Sequence, residues 1–196
     1  MKTMNGALRL GTKQITTVGM LSAITIVMGL TGFGFIPFPT IKATIMHLPV
    51  IAGAILEGPV VGAFVGLIFG LFSIYQNLTA PSVLSPALIN PLVSVLPRIL
   101  IGITSYYAYK AVRSKSMSLK IGVGAVVGSL TNTLLVMSMI ILLYGNTYAK
   151  AKNIDPSSVA KFIYGTVVLP YGTLEAAVAA AVIIPLVLAV TKIRKR

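Results

Sequence analysis

The stretch LPVIAGAILEGPVVGAFVGLIFGLFSIYQNLT, residues 48–79, decides what kind of fold this chain adopts. Its one charged residue, Glu57, opens the triplet Glu57-Gly58-Pro59 between two apolar runs. Glycine ends helices readily, and proline is well tolerated at a first helical position. The sequence therefore predicts helices near 43–57 and 59–76, folded back on each other as an antiparallel hairpin. The first of these is short and contains His47 and Pro49, so a kinked, tilted or partly re-entrant course is open to it.

Outward from the hairpin, hydropathy and Pro/Gly punctuation mark further spans near 15–32, 92–112, 120–144 and 168–191. The chain has 196 residues, of which 56% are hydrophobic and 10% charged, with a mean hydropathy of +0.95. Soluble domains carry roughly 25% charged residues, so a soluble globular class is excluded. About six spans of ~20 residues use ~120 positions and leave only connections. The expectation is an all-α polytopic membrane protein, a bundle of six transmembrane helices forming one domain over residues 1–196. A basic-then-apolar start has the form of a signal peptide. Here the apolar run continues from about Ile15 to Gly32 with no small-residue cleavage site, so it reads as the first span.

The basic residues give the bundle a direction. Lys2, Arg9 and Lys13 precede the first span, Lys110, Arg113, Lys115 and Lys120 flank the fourth-to-fifth connection, and Lys192, Arg194, Lys195 and Arg196 close the chain. The opposite side has only Lys42, Lys150, Lys152 and Lys161, while Arg98 falls inside a span. By the positive-inside rule both termini are cytoplasmic. The outward connections, 33–42, 77–91 and 145–167, are long, and long connections usually carry function.

The net charge of +13 is distributed over loops and not gathered on a face with aromatic or polar readers, which argues against nucleic acid. No cysteine is present, so thiolate metal sites and cysteine nucleophiles are absent. One His and three acids leave little for a catalytic constellation, and no metal or cofactor is expected. The chain also has no GxxxxGK[ST] phosphate loop, so any ATP-driven step needs another subunit. No fixed-period repeat of the kind common in secondary transporters is evident.

Small residues recur every fourth position. Gly62, Gly66 and Gly70, Gly124 and Gly128, and Ala177 and Ala181 each define a helix face suited to close internal packing. Gly19 and Ala23 have the same spacing on the first span, where either internal packing or a partner helix would use them.

Ionisable groups inside spans are costly and usually face a cavity or the bundle interior. Arg98 and Glu175 each lie ~10 Å inside the outward end of their spans, at a depth where they could meet. Asn132 lies near mid-span, His47 one turn below the outward end, Gln76 and Asn77 end the third span, and Tyr164 and Tyr171 frame the start of the sixth. Such groups would converge on an outward-open cavity. The structural alternatives are an Arg98–Glu175 ion pair, a satisfied interior histidine and interfacial tyrosine anchors.

The segment IPFPTIKATIMHLPVIAGAILEGPVVGAFVGLIFGLFS at 36–73, LPRILIG at 96–102, and six spans in under 200 residues resemble the substrate-binding S components of energy-coupling factor (ECF) vitamin transporters. The resemblance implies a vitamin-binding subunit with no transport power alone. Such subunits associate with a transmembrane coupling subunit and two cytosolic ATPases, and are thought to topple in the bilayer to deliver substrate. It also implies that Gly19 and Ala23 match the family's small-residue face for the coupling subunit, with glycine replacing one alanine. The implied pocket residues are Lys42, His47, Gln76, Asn77, Asn90, Arg98, Asn132, Tyr164, Tyr171 and Glu175. Pantothenate-type members look most similar, and Arg98 and Lys42 suit a carboxylate. Riboflavin, folate, thiamine, a pyridoxine-like compound and cobalamin stay open, as does an autonomous proton-coupled carrier or channel.

Overall fold

The computed structural model describes residues 10–37, 42–82 and 84–194. Helix α1 (Thr12–Thr31) leads into a two-stranded antiparallel ribbon, β1 (Phe35–Pro37) and β2 (Lys42–Thr44), in which Phe35 faces Thr44. Then follow α2 (Leu48–Glu57), α3 (Pro59–Thr79), the single turn α4 (Ser85–Leu88), α5 (Pro91–Ala111) and α6 (Met117–Lys152). The last run is continuous: a 3₁₀ turn (Pro156–Ser158), α7 (Val159–Ile163), a π-helical stretch (Tyr164–Gly172) and α8 (Thr173–Arg194). Among the described residues the regular structure is all helical apart from the ribbon. Five stretches, Thr12–Thr31, Pro59–Thr79, Pro91–Ala111, Met117–Lys150 and Pro156–Arg194, are long and apolar enough to cross a membrane.

The expected second span is the element that changes most. Residues 42–44 pair with β1 instead of extending a helix, and α2 is only ten residues long, about 15 Å against a hydrocarbon core of ~30 Å. Leu48 through Ile55 are all buried, so α2 is an interior half-helix wrapped by the others. It still turns into α3 at Gly58 (φ 103), a backbone conformation that glycine adopts without strain, with Pro59 at the first position of α3.

The connection expected at 145–167 is largely helical as well. Gly145 and Asn146 do not end the helix: no proline follows them before Pro156, and α6 bends at Tyr144 (φ −131, ψ 15) and continues until Asn153 (φ 52), a residue type that tolerates the left-handed region. The final helix starts before the expected 168. It does so as a π-helix around Pro170, whose missing amide cannot serve a regular ladder.

Helices α3 and α5 pack backbone to backbone. A Cβ at Gly66 would collide with the Arg98 carbonyl, one at Gly102 with Gly62, and one at Gly70 would lie 2.7 Å from the Val95 Cα. Gly124 and Gly128 seat α6 in the same way against Ser105 and Ile51, so both sets serve internal packing as expected. Ala177 and Ala181 do not: they are exposed, and α8 buries Ala176, Ala179, Ile183 and Val187 instead. The difference is one of rotation about the helix axis, which a four-residue spacing does not specify.

Helix α1 is inverted relative to a soluble helix. It turns Thr17, Ser22 and Thr25 inward, and Thr17 and Thr25 donate to their own i−4 carbonyls. Ile15, Met20, Ile24, Val27 and Leu30 face outward, where lipid is the matching solvent. Gly19 and Ala23 lie on this outward face, with open space around Gly19.

The apolar interior is divided in two. One core gathers Val50, Ile51, Val61, Val65, Ile101, Ile121, Ala179 and Ile183. The other gathers Ala87, Val93, Val136, Ile140, Val159 and Ile163. Three long helical runs, α5, α6 and α7 through α8, pass from one core to the other.

Candidate functional site

The residues at which those three runs change cores are polar. On α5, Arg98 falls between Val93 and Ile101; on α6, Ser129, Asn132 and Thr133 fall between Ala125 and Val136; on the last run, Glu175 falls between Ile163 and Ala179. His47, capping the N-terminus of α2, joins this layer from the ribbon side. All six are buried, His47 completely and Arg98 and Glu175 to 6% and 5% exposure.

Local sequence explains how Arg98 is held. Pro97 lacks the amide that would take the Val93 carbonyl in an α-helix, and the Arg98 Nη1 donates to that freed oxygen at 2.9 Å. The guanidinium lies over the Phe69 ring, 5.4 Å from its centroid, a cation–π arrangement. Its Nε–H is buried without an acceptor. Backbone contact at Gly66 presses this part of α5 against α3, so the cation has a rigid seat.

Glu175 is held by neutral donors. One carboxylate oxygen accepts from the Thr44 backbone amide at 2.7 Å and the other from the Thr133 hydroxyl at 2.7 Å. The expected meeting of Arg98 and Glu175 does not take the form of an ion pair: the two ion pairs among the described residues both involve Glu57. Each charge has found uncharged partners nearer to hand, although the field of Arg98 reaches both Glu175 and His47.

The rest of the layer is under-satisfied. Neither ring nitrogen of His47 completes a hydrogen bond of normal geometry, although the Thr44 backbone runs beside the ring. Ser129 Oγ and the Asn132 side-chain oxygen also have no partner. Buried polar groups are nearly always bonded, and each exception asks for an explanation. Here a cation with a spare N–H, an imidazole without a hydrogen bond of normal geometry and an amide oxygen are buried at the level between the two cores. That donor and acceptor set can take a small solute carrying a carboxylate together with hydroxyl or amide groups.

Most of the other expected site residues bond to neighbouring parts of the chain. Gln76 donates to the Gly29 carbonyl and ties α3 to α1. Asn77 donates to Ser73 and accepts from Ser85, holding α4. Asn90 caps α5 by accepting from the Leu92 amide, and its NH₂ donates to the Tyr144 hydroxyl at the bend of α6. Tyr164 shares a hydrogen bond with Ser138 across to α6. Tyr171 is half-buried at the end of the π-helical stretch. Lys42 stands in β2, and its side chain lies outside the described residues. Of the ten, His47 and Glu175 lie within the electrostatic reach of Arg98, and Asn132 is buried on α6 one position before Thr133, whose hydroxyl bonds Glu175. The structure adds Thr44, Phe69, Ser129 and Thr133; the 129/132/133 spacing, one helix face, was the signal available for two of them.

A separate recess of about 330 Å³ lies beyond the α6 bend, lined by Tyr144, Asn146, Thr147 and Ser157 among others. It includes none of His47, Arg98, Asn132 and Glu175.

Comparison with known proteins covers nearly the whole helical bundle. The family described as ECF transporter, substrate-specific component, matches residues 13–187. The chain is similar to Pantothenic acid transporter PanT of Lactococcus lactis subsp. cremoris, with 33% identity over 175 residues covering 81% of this chain and 82% of that protein. It is also similar to Pantothenate transporter PanT of Leuconostoc mesenteroides subsp. mesenteroides, 28% identical over 137 residues covering 65% and 67%. The family and both relatives are transporters, not enzymes. Since the match runs from the first turn of α1 well into α8, the chain is a multi-pass membrane protein belonging to the substrate-specific components of ECF transporters.

Proposed function

We propose that this protein is the pantothenate-binding subunit of an ECF-type importer, taking the vitamin from the extracellular side and relying on partner subunits for ATP-driven uptake. The observation that carries the proposal is the buried layer of unpartnered polar atoms around Arg98, in a chain 33% identical to a pantothenic acid transporter. Pantothenate is a small carboxylic acid with hydroxyl and amide groups, and each has a counterpart in Arg98, His47 and Asn132. In this reading residues 1–196 form a single membrane domain. Its six helices, five long and α2 half-length, have the ribbon end facing outward and both termini in the cytoplasm. The short basic connections at the other end support that direction.

The partners are a transmembrane coupling subunit and two cytosolic ATPases. The outward-facing Gly19 and Ala23 support α1 as the docking helix, because small residues admit close approach of a second helix.

The test is calorimetric titration of the detergent-purified chain with pantothenate, with riboflavin, thiamine and pyridoxine as comparisons, followed by reconstitution. Tight binding of pantothenate alone, and no uptake by liposomes holding only this chain, is the expected result. Uptake by the chain alone would replace this reading with an autonomous carrier. Tight binding of one of the other vitamins would replace the solute.

A further inference from the structure

We infer that Glu175 is a positioning residue that fastens the ribbon end of the bundle over the polar layer, and that it does not itself contact the solute. The inference rests on the reading of the Arg98 layer as the solute site. Both carboxylate oxygens are already engaged, one by the Thr44 amide and one by the Thr133 hydroxyl. These bonds join three separate parts of the chain: the last residue of β2, the middle of α6 and the first turn of α8. A carboxylate aimed at an acidic solute would also oppose it, whereas one capped by neutral donors fixes geometry while Arg98 supplies the attraction.

Thr44 is the point where fastening has most effect. Its hydroxyl donates to the Gly34 carbonyl and accepts from the Met46 amide, and the next residue, Ile45, bonds Gly34 through its own amide. The Leu48 amide then closes the turn onto the Ile45 carbonyl. Holding the Thr44 amide therefore holds the whole turn that presents His47, three residues on, to Arg98. His47 is fully buried and Arg98 is 6% exposed, so a solute reaching them has to part something that covers them. Two hydrogen bonds to Glu175 are what join the ribbon strand to α6 and α8. Breaking them opens the layer from the ribbon side, and re-forming them retains the solute.

The variants Glu175→Gln and Glu175→Ala separate a fastener from a ligand or a counter-ion. A glutamine in the same rotamer still accepts from the Thr44 amide through its oxygen and donates to the Thr133 hydroxyl through its NH₂, so both joins survive without the charge. An alanine removes both. Hydrogen exchange at the Thr44 amide is measured in the solute-free protein, and association and dissociation rates are measured with pantothenate. Glu175→Ala is expected to lose Thr44 protection and to raise the dissociation rate about tenfold or more, as befits the loss of both hydrogen bonds, without slowing association. Glu175→Gln is expected to keep protection and to stay within about threefold of the parent. Thr133→Val, which loses one join, is expected to fall between them.

Glutamine as damaging as alanine would overturn the inference, since charge and not fastening would then be what matters. Unchanged Thr44 protection in Glu175→Ala would overturn it as well. Should the alanine variant fail to fold, the glutamine variant still decides. If the parent protein binds no pantothenate yet Thr44 protection follows the expected order, the fastening is supported and only the solute assignment falls.

Discussion

Glu57 and Arg98 are both nearly buried charges, one at each end of α2 and its surroundings, and their neighbourhoods are built on opposite principles. Around Glu57 the chain supplies its own counter-charges. Arg194 lies 2.5 Å and Lys13 3.5 Å from the same carboxylate oxygen, Gln14 donates to the Glu57 carbonyl, and a second Arg194 nitrogen reaches the Leu56 carbonyl. The start of α1, the α2–α3 turn and the end of α8 are clasped there. Around Arg98 the chain supplies a backbone carbonyl and an aromatic face, but no anion within ion-pair distance among the described residues, and it leaves polar atoms of Arg98, His47, Ser129 and Asn132 without a hydrogen bond of normal geometry. A satisfied cluster holds helices together; an unsatisfied one is what the proposed binding of a solute would complete. The difference also accounts for where the chain tolerates the cost of burial. The clasp cations stay partly in water, while the polar layer lies between two apolar cores.

The largest expected effect strikes the unsatisfied end. Arg98→Ala should weaken pantothenate binding about 50-fold or more, the loss of charge-assisted hydrogen bonds, with little change in thermal midpoint. Calorimetry beside a melting curve checks both, and normal binding by a folded Arg98→Ala protein would end the carboxylate-reading role.

Next comes the seat of that cation. Gly66→Ala puts a Cβ against the Arg98 carbonyl and should cost about 1–3 kcal/mol of stability, with binding lowered because α5 has to shift. An unchanged melting curve would show that α3 and α5 are not held as closely as described.

Asn132→Leu sharpens the contrast because its two effects have opposite signs. Removing a buried acceptor that has no partner should leave stability equal or slightly raised, while solute affinity falls roughly tenfold. A fall in both would mean that Asn132 belongs to the scaffold.

The smallest effect belongs to the clasp. Glu57→Gln should lower stability by under about 1 kcal/mol, with the loss shrinking at high salt, because its cationic partners are partly exposed. Pantothenate affinity should stay as it was, and a large drop would make the two ends less independent than their chemistry suggests.

How far these features were legible beforehand varies by residue. The α2–α3 turn followed from Glu57-Gly58-Pro59, and the closeness of α3 to its neighbours followed from Gly62, Gly66 and Gly70, because both rest on local chemistry. Arg98, Asn132, Glu175 and His47 stood out since polar groups in apolar runs are rare. Gln76, Asn77, Asn90 and Tyr164 stood out for the same reason, yet each binds a neighbouring element. Polarity marks a residue that needs a partner and does not say whether the partner is the chain itself. The length of α2 was misread because residues 43–47 were joined to the apolar run that follows, whereas pairing of residues 42–44 with β1 starts the helix only at Leu48.

By itself the sequence determined that the chain lives in a bilayer, where its helices break, and which few residues cannot be content there. Those properties are set by hydropathy, by proline and glycine, and by the cost of burying charge, all of which act over a few residues. Only the tertiary structure decided which of the discontented residues meet. It gave Glu175 to Thr44 and Thr133 instead of Arg98, let Pro97 free a carbonyl for Arg98, and turned Gly19 and Ala23 outward while Gly66 turned in. Those outcomes depend on helix rotation and depth, and rotation and depth are settled by packing between segments far apart in the chain.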